Sequence, residues 1–395
     1  MLAANDHREI GRRLDLFHFQ EEAAGMVFWH PRGYRTLSAL EALIRRHAAA
    51  DGFAEVRTPQ LLRQPIWEAS GHWQHFKENM FLMADDALAV KPVSCPGHLE
   101  ILRRRAPSYR DLPLRYSELG LVHRNEPSGT LHGLFRLRQF TQDDGHVFCE
   151  LSQSEPEVAC CCHSLVKLYD ALGFSGVEVT FASRPDERAG SDEVWDSAER
   201  LLQQAAARAG LSPLHAPKAG AFYGPKLEFS LPDRLGRRWQ CGTIQLDLVL
   251  PERFDVAYVD PSGARQRPLM LHRATLGSLE RFLGVVLEQH DGHLPAWLAP
   301  DQVAVLPIEA EQHGYAREVQ AELARAGLRV VDDASRETLA RRVALAHEAA
   351  IPYVAVVGRR EAESRSVSLR HGEAQRVLSL ADAVQELGRA CAPPL

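Results

Sequence analysis

Lysine is scarce in this chain: only five of the 46 basic residues are lysine, and 52 acidic residues bring the net charge to −6. That balance argues against a protein coated in positive charge for indiscriminate nucleic-acid binding, while a specific RNA partner needs only a local basic face. No apolar run approaches the roughly 18 residues that cross a bilayer. The opening MLAANDHREI is charged and unlike a signal peptide. These absences predict a cytoplasmic protein with no membrane association. Disulfides are also missing from the expectation, because the seven cysteines are odd in number, with Cys160, Cys161 and Cys162 consecutive. No compact zinc-finger spacing is present, so most cysteines read as buried thiols, and any cysteine ligand must find its partners far away in sequence. There is no internal repeat and no low-complexity segment.

What is present divides into two textures. Up to about residue 297 the pattern is long and irregular, with strand-like stretches such as DLPLRYSELGLVHRNE and RRWQCGTIQLDLVL. TLSALEALIRRHAAADGF reads as an amphipathic helix stopped by Gly52, and TLGSLERFLGVVLEQHDG as a second helix. From residue 298 short apolar strands alternate with helices of ten to fifteen residues, the signature of a small α/β domain with a mostly parallel sheet. The two prolines of LPAWLAPDQ mark the boundary, giving domains 1–297 and 298–395.

One stretch, FTQDDGHVFCE, sets Asp143 and Asp144 close to His146 between Phe140 and Phe148. Alone it reads as a loop between two strands, with both carboxylates solvated and His146 satisfied by hydrogen bonds. It does not stand alone: a long helix, then EVRTP, then two strands carrying HRNE, then a strand and helix with GSLERF follow in order. This order resembles the class II aminoacyl-tRNA synthetases. Within them KPVSCPGH, TQDDGH, YGPK, WQCGTIQLDLVLPERF and LHRATLGSLERF are similar to the threonyl-tRNA synthetases, from about Asp6 to the end of the chain.

The resemblance implies an α+β catalytic domain built on an antiparallel sheet with flanking helices, followed by an anticodon-binding domain. It implies that Cys95, His146 and His272 hold one zinc ion, a thiolate and two imidazoles being zinc ligands that leave a position open. Threonine would coordinate through its amino group and hydroxyl, with Asp144 accepting a hydrogen bond from it, Gln142 and Tyr223 at its amino group, and Gln245 lining the pocket. Asp143 is expected to be a supporting or surface carboxylate. For ATP, carried with Mg²⁺, the same resemblance assigns Arg124 to the α-phosphate, Arg281 to the far end of a bent nucleotide and Arg136 to the outer phosphates. Glu126 would read the adenine amino group and Phe140 would stack on the base, with Gln240 and Thr243 around the nucleotide. Lys226 would add charge near the reacting carboxylate, and His72 would assist the ribose hydroxyl of tRNA(Thr). Glu361, Arg370 and Arg336 match anticodon-contacting positions, although Arg336 stands where the family has Asn and ARRVALAH replaces its G-x-K-I-R run.

A homodimer through the first motif is implied too. Full-length bacterial members carry two N-terminal domains, one hydrolysing seryl-tRNA, whereas the catalytic region here begins almost at residue 1. The expectation is therefore no editing in cis and a separate editing factor. Other readings are a paralogue that loads threonine onto a non-tRNA acceptor, a spare inhibitor-resistant copy, or a non-catalytic RNA-binding relative. The last loses ground because Arg124 and Arg281 are both retained.

Overall fold

Tyr116, His146, His272, Gln245 and Lys226 lie in one row across neighbouring strands. The computed structural model in which they do so describes residues 3–83, 88–247, 249–332 and 337–394. By compactness the chain divides into two units: Gln20–Met26 with Ile44–Val285, and Met1–Phe19 with Val27–Leu43 and Val286–Pro394.

The first unit is built on an eight-stranded sheet. Its strand order is Ala54–Glu55, Leu114–His123, Gln139–Cys149, Leu269–Ser278, Arg238–Asp247, Lys226–Pro232, Glu178–Ala182, Leu214–Ala216. The six central strands pair antiparallel, and only the two short edge strands join in parallel. Alternation drives it: in Lys226–Pro232, Leu227, Phe229 and Leu231 are fully buried while the residues between them are not. The helices Leu151–Ala171 and Asp192–Arg208 pack against it, burying Leu165, Leu168, Trp195 and Leu202. Close approach needs Gly242, since a Cβ there would meet the Tyr169 hydroxyl at 2.2 Å. Cys161 and Cys162 are buried in the first of these helices as free thiols, as expected, while Cys160 is exposed.

One boundary differs from the sequence reading. TLGS continues the Leu269–Ser278 strand, and the helix starts only at Leu279. The cause is Asp143, whose buried carboxylate accepts the backbone N–H groups of Thr275, Leu276 and Gly277, each at 2.8 Å. They bend a strand that Gly277, at φ +73°, lets turn. Asp143 is thus the supporting carboxylate expected of it. Asp143→Ala strands three buried donors and should cost about 2–4 kcal/mol in urea unfolding. Asp143→Asn, keeping one acceptor oxygen, should fall between; an alanine variant as stable as the parent would refute this role.

In the second unit the sheet order is Val330–Asp332, Val303–Pro307, Tyr353–Val357, Ser366–His371, Ala374–Ser379. The first three strands are parallel, with helices His313–Arg325 and Leu339–Glu348 in the crossovers. The last two form an antiparallel hairpin turned at Gly372, φ +56°, so the sheet is mixed. Among the described residues no helix is long and apolar enough to cross a membrane.

Candidate active site

The sheet's period of two puts Phe140, Gln142, Asp144 and His146 on one face of their strand, and the register sets His146 opposite His272. Cys95 arrives from outside the sheet, at the first residue of the helix Cys95–Arg105, with Pro96 in the first turn. Gly120 admits this segment, because a Cβ there would lie 2.5 Å from the Ser94 hydroxyl. The outcome is a buried trio: Cys95 Sγ lies 3.4 Å from His272 Nδ1, and His146 Nε2 lies 3.1 Å from the same nitrogen.

Hydrogen-bond direction shows what this trio fits. Asp247 accepts the N–H groups of Val249 and Leu250 and faces His272 Nε2 at 2.9 Å. An acceptor there places the proton on Nε2, so the neutral ring leaves Nδ1 bare. On the other side Glu118 faces His98 Nε2 at 3.2 Å, and His98 Nδ1 faces His146 Nδ1 at 2.8 Å. By the same reasoning His98 Nδ1 accepts, His146 Nδ1 donates, and His146 Nε2 is bare. Two bare ring nitrogens and a sulfur therefore converge, with the thiol's own proton the single one among them, a donor set for a cation once that proton leaves. Burial, with Asp144 and Asp247 nearby, pushes the Cys95 thiol well above its ordinary range, so a thiolate here calls for positive charge. Tetrahedral zinc would separate such ligand atoms by about 3.3–3.6 Å. All three ligand atoms lie within 4.8 Å of one another.

Beside the trio opens a cavity of about 450 Å³. Of the residues proposed for substrate and nucleotide, Arg124, Glu126, Arg136, Phe140, Gln142, Asp144, Tyr223, Gln240, Thr243, Gln245 and Arg281 line it, as do Cys95 and His272. His146 is wholly buried behind them. Tyr223 sits 5.3 Å from the His272 ring, carried there by Gly224, whose missing Cβ would collide with the Leu246 carbonyl at 1.8 Å. Gln245 donates to the Gly224 carbonyl at 3.2 Å. Asp144 Oδ2, Gln142 Oε1 and Arg281 Nε are buried and lack a hydrogen-bond partner among the described residues. Buried polar atoms are seldom left so, and ligand contact is one reason for it.

In the same cavity the Arg124 guanidinium lies over the Phe140 ring at 5.1 Å and donates from Nε to the Pro92 carbonyl at 3.2 Å. Arg136 pairs with Glu126 at 2.8 Å. Glu280 accepts the Thr141 N–H at 2.9 Å, tying the helix of Arg281 to the strand of Phe140 and Gln142.

Two expected residues stand apart from the cavity lining. Lys226 shares the row of His272 and Gln245, but its ammonium lies 2.5 Å from Glu228. His72 is buried among Trp67, Phe76 and Phe222, with Nδ1 on the Ser70 hydroxyl at 2.8 Å; burial lowers its pKa to about 4. In the second unit Glu361 accepts the Gly358 N–H at 2.9 Å, and Arg370 lies on the Ser366–His371 strand with a buried, unpartnered Nε among the described residues. Arg336 lies outside the described residues.

Sequence reasoning missed Lys91, His98, Glu118, Asp247 and Glu280. Only His98 carried a usable signal, since CPGH places it three residues after Cys95 on the same helix face.

Comparison with known proteins follows the same division. The family model "tRNA synthetase class II core domain (G, H, P, S and T)" matches residues 81–290, and "Anticodon binding domain" matches 302–389. The threonine–tRNA ligase of Gluconacetobacter diazotrophicus is 51% identical over 395 residues, covering 98% of this chain and 62% of that protein. That of Rickettsia bellii is 48% identical over 384 residues, covering 96% and 61%. The chain thus spans about three-fifths of the length of these relatives. Among solved structures, the RNA binding domain of threonyl-tRNA synthetase from Cryptosporidium parvum superposes with a TM-score of 0.95 at 38% identity, over 99% of both chains. Prolyl-tRNA synthetase from Giardia lamblia, in complex with prolyl-adenylate, shares the fold at a TM-score of 0.74 and 18% identity, over 96% of this chain and 74% of that one.

Proposed function

Since the chain belongs to the threonyl-tRNA synthetase family of class II, we propose that it activates threonine with ATP and transfers the threonyl group to the terminal ribose of tRNA(Thr). The observation that carries this reading is the Cys95–His146–His272 donor set at the wall of the cavity that Arg124 and Arg281 line. Zinc held by those three side chains would supply a Lewis acid with a position open to substrate. The chain's own groups do the rest. Asp144 accepts a hydrogen bond from the threonine hydroxyl or ammonium group, and Gln142 and Tyr223 hold the amino end. Attack of the threonine carboxylate on the α-phosphorus gathers negative charge and expels pyrophosphate. Arg124 and Arg281, with Mg²⁺, stabilise that charge without reorganising. The threonyl ester then forms on the ribose hydroxyl with release of AMP. The family relation also supports a cytoplasmic homodimer and anticodon contacts from the 302–389 domain.

Amino-acid-dependent ATP–pyrophosphate exchange, run across all twenty amino acids with zinc assayed on the same sample, tests the reading. Threonine should dominate. Serine keeps the hydroxyl and lacks one methyl, so it should follow within about 10–200-fold. Valine, almost the same shape without the hydroxyl, should fall about 10⁴-fold behind, because the site's polar groups are then left unpaired. Valine exchange close to that of threonine would overturn the assignment, and so would a zinc-free preparation at full activity.

A further inference from the structure

Behind the donor set runs a buried chain of side chains that neither the substrate pocket nor the nucleotide site uses. Glu118 sits at its centre, 3% exposed, and all four of its hydrogen bonds come from donors. Oε1 accepts from the Thr58 N–H at 2.9 Å and from the Lys91 ammonium at 2.8 Å; Oε2 accepts from the Thr58 hydroxyl at 2.9 Å and faces His98 Nε2 at 3.2 Å. Lys91 is completely buried and also donates to the Thr58 hydroxyl at 3.0 Å. His98 then meets His146, ring against edge at 84°, with the two Nδ1 atoms 2.8 Å apart.

We propose that His98, backed by Glu118 and Lys91, is a positioning residue: it holds the proton of His146 on Nδ1 and thereby keeps Nε2 bare and aimed at the cation site. The inference rests on the metal reading of Cys95, His146 and His272. A carboxylate with four donors around it stays an acceptor. Burial works against its charge, yet the hydrogen bonds from His98 and Lys91 hold its carboxyl down at about 2. His98 therefore donates from Nε2, and as a neutral ring it accepts at Nδ1. The reverse assignment needs a cationic His98 and puts an N–H on His146 Nε2, which would donate to His272 Nδ1 3.1 Å away and take the place of the cation. Lys91 has a separate task, since it supplies the positive charge that lets an ionised Glu118 remain buried. His272 is oriented differently, by Asp247 directly, so the two imidazoles are set by two independent carboxylates. Outer partners of this kind fix the tautomer and ring orientation of a metal-ligating histidine.

The test compares three full-length chains: the parent, His98→Leu and His98→Asn. Asparagine keeps an acceptor oxygen where Nδ1 stood; leucine does not. Zinc affinity is measured by chelator competition, and the Co²⁺-substituted proteins are compared by their visible spectra. The leucine variant should bind zinc about 10–100-fold more weakly with a shifted cobalt spectrum, and the asparagine variant should stay within a few-fold of the parent. Leucine and asparagine variants that both bind like the parent, or both fail alike, would overturn the inference. A parent chain that takes up no zinc would overturn the metal reading and the inference with it. Should the leucine variant not fold, imidazole ¹⁵N spectra of the zinc-loaded parent decide: a protonated Nδ1 on His146 supports the assignment, and an unprotonated one overturns it.

Discussion

Arg124→Ala should lower kcat for threonine-dependent ATP–pyrophosphate exchange by about 10²–10³-fold, the usual loss when one preorganised donor to a developing negative charge is removed. Three features of its placement set this expectation. Its Nε is engaged by the Pro92 carbonyl at 3.2 Å, and the Phe76 and Phe140 rings lie under the guanidinium, so the fork is held before any ligand arrives. Among the described residues no carboxylate pairs with it, whereas Arg136, at the same cavity, is already occupied by Glu126. A cation held in place without an ion-pair partner is prepared for an anion. Arg124→Lys should recover little, because an ammonium lacks the planar fork and the stack on Phe140. Since Arg124 is not one of the three metal-ligating side chains, zinc content should not change. An Arg124→Ala enzyme within tenfold of the parent kcat would remove Arg124 from the chemistry.

Much of this site was legible in the sequence for a reason that also marks where reading stopped. Cys95, His146 and His272 are scattered along the chain, and no spacing rule joins them; only the likeness of CPGH, TQDDGH and HRA to a known family did. Once the sheet is formed their meeting is simple, because His146 and His272 occupy facing positions of adjacent strands. Periodicity starts the helix of TLGSLERF four residues too early because it cannot reveal that Asp143, 132 residues away, captures the Thr275 N–H. Lys91 and Glu118 stayed invisible for a similar reason. A buried lysine and a buried glutamate look like surface charges until Leu114–His123 and the loop before Cys95 are brought together. The strand Ala374–Ser379 also escaped, since almost all of it is exposed and alternation has no buried face to mark.

Cys95→Ala should cost more than any other single change considered: at least about 10³-fold in kcat/KM for threonine, the several kcal/mol that a Lewis acid supplies to such a site. The form of the loss matters more than its size. Threonine and valine differ by a hydroxyl against a methyl, and a pocket without a metal distinguishes such isosteres by only about a hundredfold. Losing the thiolate should therefore depress threonine far more than valine and shrink the ratio between them by orders of magnitude. Loss of the fold would depress both alike. Chelation of the parent enzyme should reproduce the collapse and zinc should reverse it, while Cys95→Ala should not respond to zinc. The scaffold gives little reason for unfolding. His272 keeps its bond to Asp247 and His146 its bond to His98, so each imidazole remains oriented without the thiol. If Cys95→Ala keeps the parent's threonine-to-valine ratio, discrimination resides in Asp144, Gln142 and Tyr223 alone, and the metal is reduced to a structural part.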